Sequence, residues 1–175
     1  MKPTAIIVDV NGCLGDCTNR KHFLDQEPRD WDGFFRHMMI DKPDDFMHRL
    51  VNAQNDHPFY NKVILITGSP EKYRPLMLEW LSTNQVLFDE LYMRGDYQFI
   101  KGFEFKKKLL EDHLLEKYDI ARAFDDRTEC AIMYRGLGIK CHVVAEETYQ
   151  RVEKTGPREH NYRRQFRRER VPKPK

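Results

Sequence analysis

The sequence predicts an α/β fold of three layers, with helices on both faces of a parallel sheet and a small helical insertion between strands 1 and 2. Five short apolar runs alternate with segments of helical periodicity, as in strands joined by crossover helices. The runs are continuously apolar, which is typical of strands buried on both faces. The insertion is predicted from residues 19–60, which are too long for an ordinary connection.

The predicted strands are, in order, TAIIVDV (4–10), KVILIT (62–67), LFDELYM (87–93), ARAF (121–124) and KCHVV (140–144). The spacing of leucine and methionine between them predicts three helices, over Glu71–Leu81, Phe105–Tyr118 and Glu129–Leu137. Pro75 leaves the start of the first helix open, and the Gly136-Leu137-Gly138 segment predicts the end of the third.

The insertion carries its aromatic residues among many charged ones: Trp31, Phe34, Phe35, Phe46 and Phe59. We expect helices that pack these rings on the domain. Ligands of open α/β sheets bind beyond the carboxyl ends of the strands, so we also expect the insertion to form a lid there.

Composition predicts a folded, soluble chain of about one domain, because 40% of its 175 residues are hydrophobic and 33% are charged. No apolar run approaches the roughly 20 residues of a membrane span, and Asp9 comes too early for a signal peptide. We therefore expect a cytoplasmic protein with no membrane partner. The four cysteines form no Cys-x-x-Cys pair and no Cys/His cluster, which favours reduced thiols over a zinc site.

The charge is unevenly distributed. Residues 151–175 carry a net charge of +7, whereas residues 1–150 carry −5. This predicts a domain over 1–150 and a basic C-terminal tail over 151–175. Tyr162 and Phe166 lie among the arginines of the tail, a pattern that suits contact with nucleic acid. A solvated tail, or a helix packed on the domain, explains the pattern equally well.

Polar residues stand where three predicted strands end. Asp9 follows the first, Thr67 closes the second, and Asp125 and Asp126 follow the fourth. The carboxyl ends of parallel strands meet at one edge of a sheet, so we expect these side chains to be neighbours. Carboxylates crowded together need a cation, and hard oxygen ligands favour Mg²⁺.

Four motifs in this order, VDVNG, LITGS, KKKLL and AFDDR, resemble those of the haloacid-dehalogenase-like (HAD) phosphohydrolases, whose fold is Rossmann-like. The resemblance runs from about Thr4 to Ala145. A closer resemblance is to the 3′-phosphatase domain of polynucleotide kinase-phosphatase and its small phage and bacterial relatives. It rests on CTNRKHFL, DWDGFF, LYMRGD and AFDDRTECAIMYRGLGIKCHVVA.

The resemblance implies a role for each motif residue. Asp9 would be the nucleophile and would form an aspartyl-phosphate. Mg²⁺ would be held by Asp9, by the backbone carbonyl of Asn11, and by Asp125 or Asp126. The phosphate would be bound by Thr67, Gly68, Ser69, Lys106 and Arg20. Of the consecutive lysines 106–108, Lys106 is chosen because it has the position of the family lysine. Arg127, which follows the two aspartates, is assigned no role in the site.

Asn11 departs from the family pattern, which has a second aspartate there as general acid and base. An amide has no proton to transfer, so turnover should fall by roughly 10²–10⁴-fold while binding survives. An engineered change, a natural loss of activity, or a shift to another acid would each explain Asn11. Cys13 and Ser69 also replace the threonine and arginine of the pattern, and Arg74 is a candidate to replace the missing charge.

These residues predict a Mg²⁺-dependent phosphomonoesterase acting on a nucleotide or on a nucleic-acid 3′-phosphate end. The alternative is a catalytically silent member of the superfamily that binds nucleotide or nucleic acid. A third hypothesis is phosphoryl transfer, because slow attack by water prolongs the life of an aspartyl-phosphate.

Overall fold

A computed structural model describes residues 1–55, 62–96 and 100–144 of the chain. The predicted basic tail, with Tyr162 and Phe166, lies outside the described residues, as does Phe59. Residues Met1–Ala145 belong to one compact unit.

A five-stranded parallel sheet forms the centre of this unit. Its strands are β1 (Thr4–Val8), β4 (Lys62–Pro70), β5 (Glu90–Arg94), β6 (Asp119–Asp125) and β7 (Cys141–Val143). Their order in the sheet is β5-β4-β1-β6-β7. All five correspond to predicted apolar runs. β4 runs three residues beyond the predicted end at Thr67, and its pairing with β5 is irregular between Thr67 and Pro70.

Helices connect the strands. The bounds are α1 (Trp31–Arg36), α2 (Asp45–Asn55), α3 (Arg74–Thr83), α4 (Gly102–Leu109), α5 (Leu115–Lys117) and α6 (Thr128–Gly136). Pro75 sits in the first turn of α3, where proline is tolerated, and a 3-10 turn over Glu71–Tyr73 precedes that helix. A π-helical segment, Leu110–Leu114, joins α4 to α5, so the predicted helix over Phe105–Tyr118 is one helical element that changes its winding.

Apolar side chains fill both faces of the sheet because successive strand residues point to opposite sides. Ile6 and Val8 of β1 belong to the cluster beneath the insertion and α3. Ala5 and Ile7 belong to the cluster beneath α4 and α6. The predicted three-layer fold is therefore confirmed.

The insertion between β1 and β4 contains α1, α2, two 3-10 segments (Thr18–Leu24 and Met38–Ile40), and a small antiparallel pair of β2 (Gly15–Asp16) and β3 (Lys42–Pro43). Phe34 and Phe35 are buried, as predicted. Trp31 and Phe46 are not, with 48% and 69% of their surfaces exposed, so the prediction that the insertion packs all its aromatic residues is wrong for these two.

The described parts of the chain contain no helix with the length and apolar character that crossing a membrane requires. All four cysteines are buried and free of disulfides, in agreement with the prediction of reduced thiols.

Candidate functional site

The carboxyl ends of β1, β4 and β6 bring the predicted acidic and hydroxyl residues to one edge of the sheet. Asp9 follows β1 directly, and its backbone N–H donates to the carbonyl of Phe124 in β6 at 2.9 Å. Asp125 is the last residue of β6, with Asp126 next to it. Thr67 lies within β4, which pairs with β1 on its other side. All four residues are buried.

Lys106 connects two of these carboxylates. Its Nζ donates to Asp9 Oδ1 at 2.5 Å and to Asp125 Oδ2 at 2.6 Å. The neighbouring lysines of α4 are exposed, whereas Lys106 is 2% exposed. The apolar residues Phe105 and Leu109 are buried as well, so this face of α4 is turned to the sheet and carries the ammonium group to the site.

Burial and charge together set the protonation of this group of residues. The pKa of Asp9 is raised to about 6, chiefly by burial and in part by the charge of Asp125, while Lys106 acts in the opposite direction. Burial alone would lower the pKa of Lys106, but Asp9 and Asp125 outweigh that effect and hold it well above its ordinary value. Lys106 therefore stays a cation beside Asp9.

Asn11 is fixed by hydrogen bonds in three directions. Its Nδ2 donates to Thr67 Oγ1 and to Ser69 Oγ, both at 2.8 Å. Its Oδ1 accepts from Nη2 of Arg20 at 2.6 Å. Both amide protons and the carbonyl oxygen are thereby used, so this position holds an amide in one defined orientation.

Arg20 is completely buried, although a position in a connecting segment of the insertion suggests an exposed side chain. Its Nε and Nη2 donate to the carboxylate of Asp41 at 2.5–2.9 Å, and Nη1 donates to the carbonyl of Phe34 at 2.8 Å. The guanidinium also lies 4.0 Å from the centre of the Phe34 ring. These contacts join the insertion to Asn11, and the predicted contact of Arg20 with phosphate stays a prediction.

Gly12 makes room for Asp126. Its φ is +92°, a conformation that favours glycine, and an added Cβ would lie 2.5 Å from Asp126 Oδ2. The glycine turn after Asn11 thus lets a carboxylate approach the backbone closely.

The predicted metal ligands supply oxygen atoms only, and this donor set fits Mg²⁺. In the described ranges, however, no group of three or more His, Cys, Asp and Glu side chains is arranged to hold a metal ion. Lys106 provides the positive charge between Asp9 and Asp125.

The predicted phosphate-binding segment lies beside the start of α4. An added Cβ on Gly68 would lie 3.9 Å from Cα of Gly102, the first residue of that helix. Ser69 is buried, and its hydroxyl accepts from Asn11 and from Thr67 Oγ1, the latter at 3.1 Å.

Two residues of the site were not predicted from the sequence. Asp41, the partner of Arg20, stands in a stretch of charged residues with no local pattern that indicates burial. Arg127 lowers the pKa of Asp9, and its Nη1 lies 3.4 Å from the point where a Cβ of Gly102 would stand. The sequence feature that could have identified Arg127 as a site residue is its position directly after Asp125-Asp126.

Among solved structures, the fold is similar to that of a chain in the Pnkp1/Rnl/Hen1 RNA repair complex. The TM-score is 0.71 at 24% sequence identity, over 82% of this chain and 43% of that chain. A second structure of the Pnkp1/Rnl/Hen1 complex gives 0.69 at 24% identity, over 82% and 46%. This chain therefore spans less than half the length of the chains it matches there.

A hydrolase from Streptococcus pneumoniae TIGR4 is also similar in fold, with a TM-score of 0.55 at 14% identity, over 89% of this chain and all of that one. The sequence itself matches the family of the polynucleotide kinase PNKP phosphatase domain over residues 3–149, which is most of the chain. The chain belongs to the PNKP phosphatase-domain family, within the HAD superfamily of phosphohydrolases.

Proposed function

We propose that the chain removes phosphate from a nucleotide or from a nucleic-acid 3′ end, with Asp9 as nucleophile. The observation that carries the proposal is the buried Lys106 ammonium, which lies 2.5 Å from Asp9 and 2.6 Å from Asp125 at the edge where Thr67 also stands. A cation in this position neutralises both the attacking carboxylate and the anionic group it attacks.

Asp9 attacks phosphorus through a carboxylate oxygen, and the bond to the leaving oxygen breaks as the aspartyl-phosphate forms. Thr67 and the backbone N–H groups around Gly68 and Ser69 donate to the phosphate oxygens, together with Lys106. Asp9, the carbonyl of Asn11, and Asp125 or Asp126 would hold Mg²⁺, which would supply charge neutralisation between nucleophile and phosphate.

Asn11 limits the reaction at two proton transfers. The leaving oxygen needs a proton and the attacking water must lose one, and the amide of Asn11 can serve neither step. We infer that the chain binds phosphate esters and forms the aspartyl-phosphate slowly, and that hydrolysis of this intermediate is slower than in relatives with an aspartate at this position.

Arg20 is proposed to act on the substrate through Asn11, because its guanidinium is bound to Asp41 and Asn11. Arg127 is proposed as the cation that meets the phosphate in place of the family arginine at Ser69. The insertion is proposed as the lid over this edge, within a domain of residues 1–150.

A second candidate function is binding without turnover, and the hydrogen bonding of Asn11 favours it. Three hydrogen bonds at 2.6–2.8 Å hold the amide, and Ser69 contributes one of the acceptors. Ser69 replaces an arginine of the family pattern, and its hydroxyl accepts from Asn11, which replaces an aspartate. Both departures from the family pattern therefore belong to one hydrogen-bonded arrangement. A nucleotide-binding protein needs no acid at residue 11.

The discriminating experiment compares the chain with Asn11→Asp in phosphate release from 3′-phosphorylated oligonucleotides, 5′-phosphorylated oligonucleotides and mononucleotides, with Mg²⁺ present. We expect the aspartate variant to be about 10²–10⁴-fold faster on its preferred substrate. Asp9→Ala in the Asn11→Asp background is the control that removes the nucleophile. No release by Asn11→Asp from any of these substrates would refute hydrolysis and favour the binding protein.

The similarity in fold to a chain of an RNA repair complex supports nucleic acid as the substrate. A deletion of residues 156–175 tests the predicted contribution of the basic tail. Loss of salt-dependent RNA or DNA binding in that variant would support a contact between tail and nucleic acid.

A further inference from the structure

Trp31 is a large aromatic residue that the fold leaves unburied. It begins α1 in the insertion, and 48% of its surface is exposed, whereas the second tryptophan of the chain, Trp80, is 1% exposed. Its ring stacks on Phe35, with centres 6.0 Å apart and planes 24° from parallel. Trp31 is therefore a supported ring with accessible surface.

A chain of contacts leads from this ring to the candidate site. Trp31 contacts the edge of Phe34 at 6.1 Å between ring centres. Phe34 lies under the guanidinium of Arg20 at 4.0 Å, and Arg20 donates to Asn11 at 2.6 Å. Only two side chains separate Asn11 from Trp31. Packed side chains of the insertion therefore connect Trp31 to the motif that carries Asp9.

Trp31 also lies beside the segment that follows the phosphate-binding residues. Its neighbour Asp32 accepts hydrogen bonds from Lys72, at 3.2 Å, and from the hydroxyl of Tyr73. Both belong to the 3-10 turn that begins two residues after Ser69, and Tyr73 packs on Phe35 at 5.2 Å between ring centres. The start of α1 is thereby attached to the end of the phosphate-binding strand.

The charges around Trp31 suit a nucleotide. Asp32 pairs with two exposed cations, Lys72 and Arg36, so the three groups carry a net positive charge. Stacking on an aromatic ring accepts any base, because every base presents a π face, and nearby cations meet the phosphates.

We propose that Trp31 is the stacking platform for the base of a nucleotide whose phosphate occupies the site of Asp9, Thr67 and Lys106. This inference rests on the proposed function for the position of the phosphate. It adds a base-binding subsite in the insertion, which makes the substrate a nucleotide or an unpaired nucleic-acid end and not a small sugar phosphate.

The test is a titration of tryptophan fluorescence in the chain as it stands, with a nucleoside 3′-monophosphate, with deoxyribose phosphate, and with inorganic phosphate. We expect the nucleotide to quench Trp31 and to protect it from acrylamide, while buried Trp80 stays unaffected. The two ligands without a base should leave the emission of Trp31 unchanged.

Variants test whether Trp31 is the ring that binds the base. We expect Trp31→Ala to weaken nucleotide binding, measured by calorimetry, by about tenfold to a hundredfold, the usual effect of losing one stacked base. Its affinity for inorganic phosphate should stay within twofold of the parent. Trp31→Phe should keep most of the nucleotide affinity, and Phe46→Ala, which removes another exposed ring of the insertion, should change neither affinity.

A Trp31→Ala variant with unchanged nucleotide affinity would overturn the proposal. So would an equal loss of affinity for nucleotide and inorganic phosphate, since that result indicates a structural role for the ring. Because the titration measures binding and not turnover, it decides the role of Trp31 whether or not Asn11→Asp releases phosphate.

Discussion

The guanidinium of Arg20 donates to the side-chain carbonyl of Asn11 at 2.6 Å and to the carboxylate of Asp41 at 2.5 Å. One buried cation thus joins the first motif of the site to the insertion. Since its main charge partner comes from the insertion, the position of Asn11 depends on how the insertion folds.

Replacing Arg20 tests this dependence. We expect Arg20→Ala to lower the free energy of unfolding by about 3–5 kcal/mol, because it leaves the carboxylate of Asp41 buried without its cation. Chemical denaturation measures the change. Arg36→Ala is the matched control, since the Arg36–Asp32 pair is exposed and its loss should change the free energy of unfolding far less. Equal small losses in both variants would contradict the importance of the buried contact.

Lys106 should determine phosphate affinity. Lys106→Met removes the buried cation, so we expect the affinity for inorganic phosphate, measured by calorimetry, to fall by about tenfold to a hundredfold. Lys107→Met serves as control because this neighbour is exposed and lies 3.7 Å from Glu111, at the helix surface. The prediction fails if the two variants bind phosphate equally well.

Metal binding should depend on pH through Asp9. The pKa of Asp9 is raised from 3.8 to about 6, chiefly by burial, and a metal ligand must be deprotonated. Protons therefore compete with Mg²⁺ below pH 6, and we expect the affinity to fall by about tenfold for each further pH unit. Calorimetric titrations between pH 5 and 7.5 measure this. A flat profile down to pH 5 would show that Asp9 is not the group involved.

The carboxyl of Asp9 should also make stability depend on pH, but stability should fall as the pH rises, whereas metal affinity should rise. Between about pH 4 and 6 the folded protein holds a proton on Asp9 that the unfolded chain has released. Asp9 therefore lowers the free energy of unfolding as the pH rises through this window. Asp9→Asn removes the titration, and we expect its metal-free stability to change less over that range than that of the parent.

Gly12 should tolerate no side chain. We expect Gly12→Ala to cost about 1–3 kcal/mol, since its φ is +92° and the added Cβ would lie 2.5 Å from Asp126 Oδ2. Gly136→Ala is the control, because its Cβ meets nothing within 4 Å at the end of α6. That change should be neutral or add up to about 1 kcal/mol of stability. Thermal and chemical denaturation distinguish the two outcomes.

The sequence predicted the elements whose pattern is local. Continuous apolar runs identified all five strands of the sheet, and the polar residues after them identified Asp9 and Asp125, because parallel strands must end at a common edge. Lys106 was separated from its two neighbours only through the family resemblance, since periodicity alone leaves a run of three lysines ambiguous.

Long-range pairings could not be predicted in the same way. The burial of Arg20 depends on Asp41, 21 residues away, and on the carbonyl of Phe34. An arginine among charged residues usually indicates a solvated surface. Likewise, nothing local distinguishes Trp31, which is exposed, from Phe34 and Phe35, which are buried in the same short helix. Only the packing of α1 on the domain separates them.

The bridge from Lys106 to Asp9 spans 97 residues of sequence, so the site does not exist in the unfolded chain. Any ligand that occupies it binds the native state alone, and mass action then converts affinity into resistance to heat. A compound present at a hundred times its dissociation constant adds about 2.7 kcal/mol. For a domain of this size the melting temperature rises by roughly 5–10 °C. Melting curves can therefore rank candidate substrates without any need for turnover.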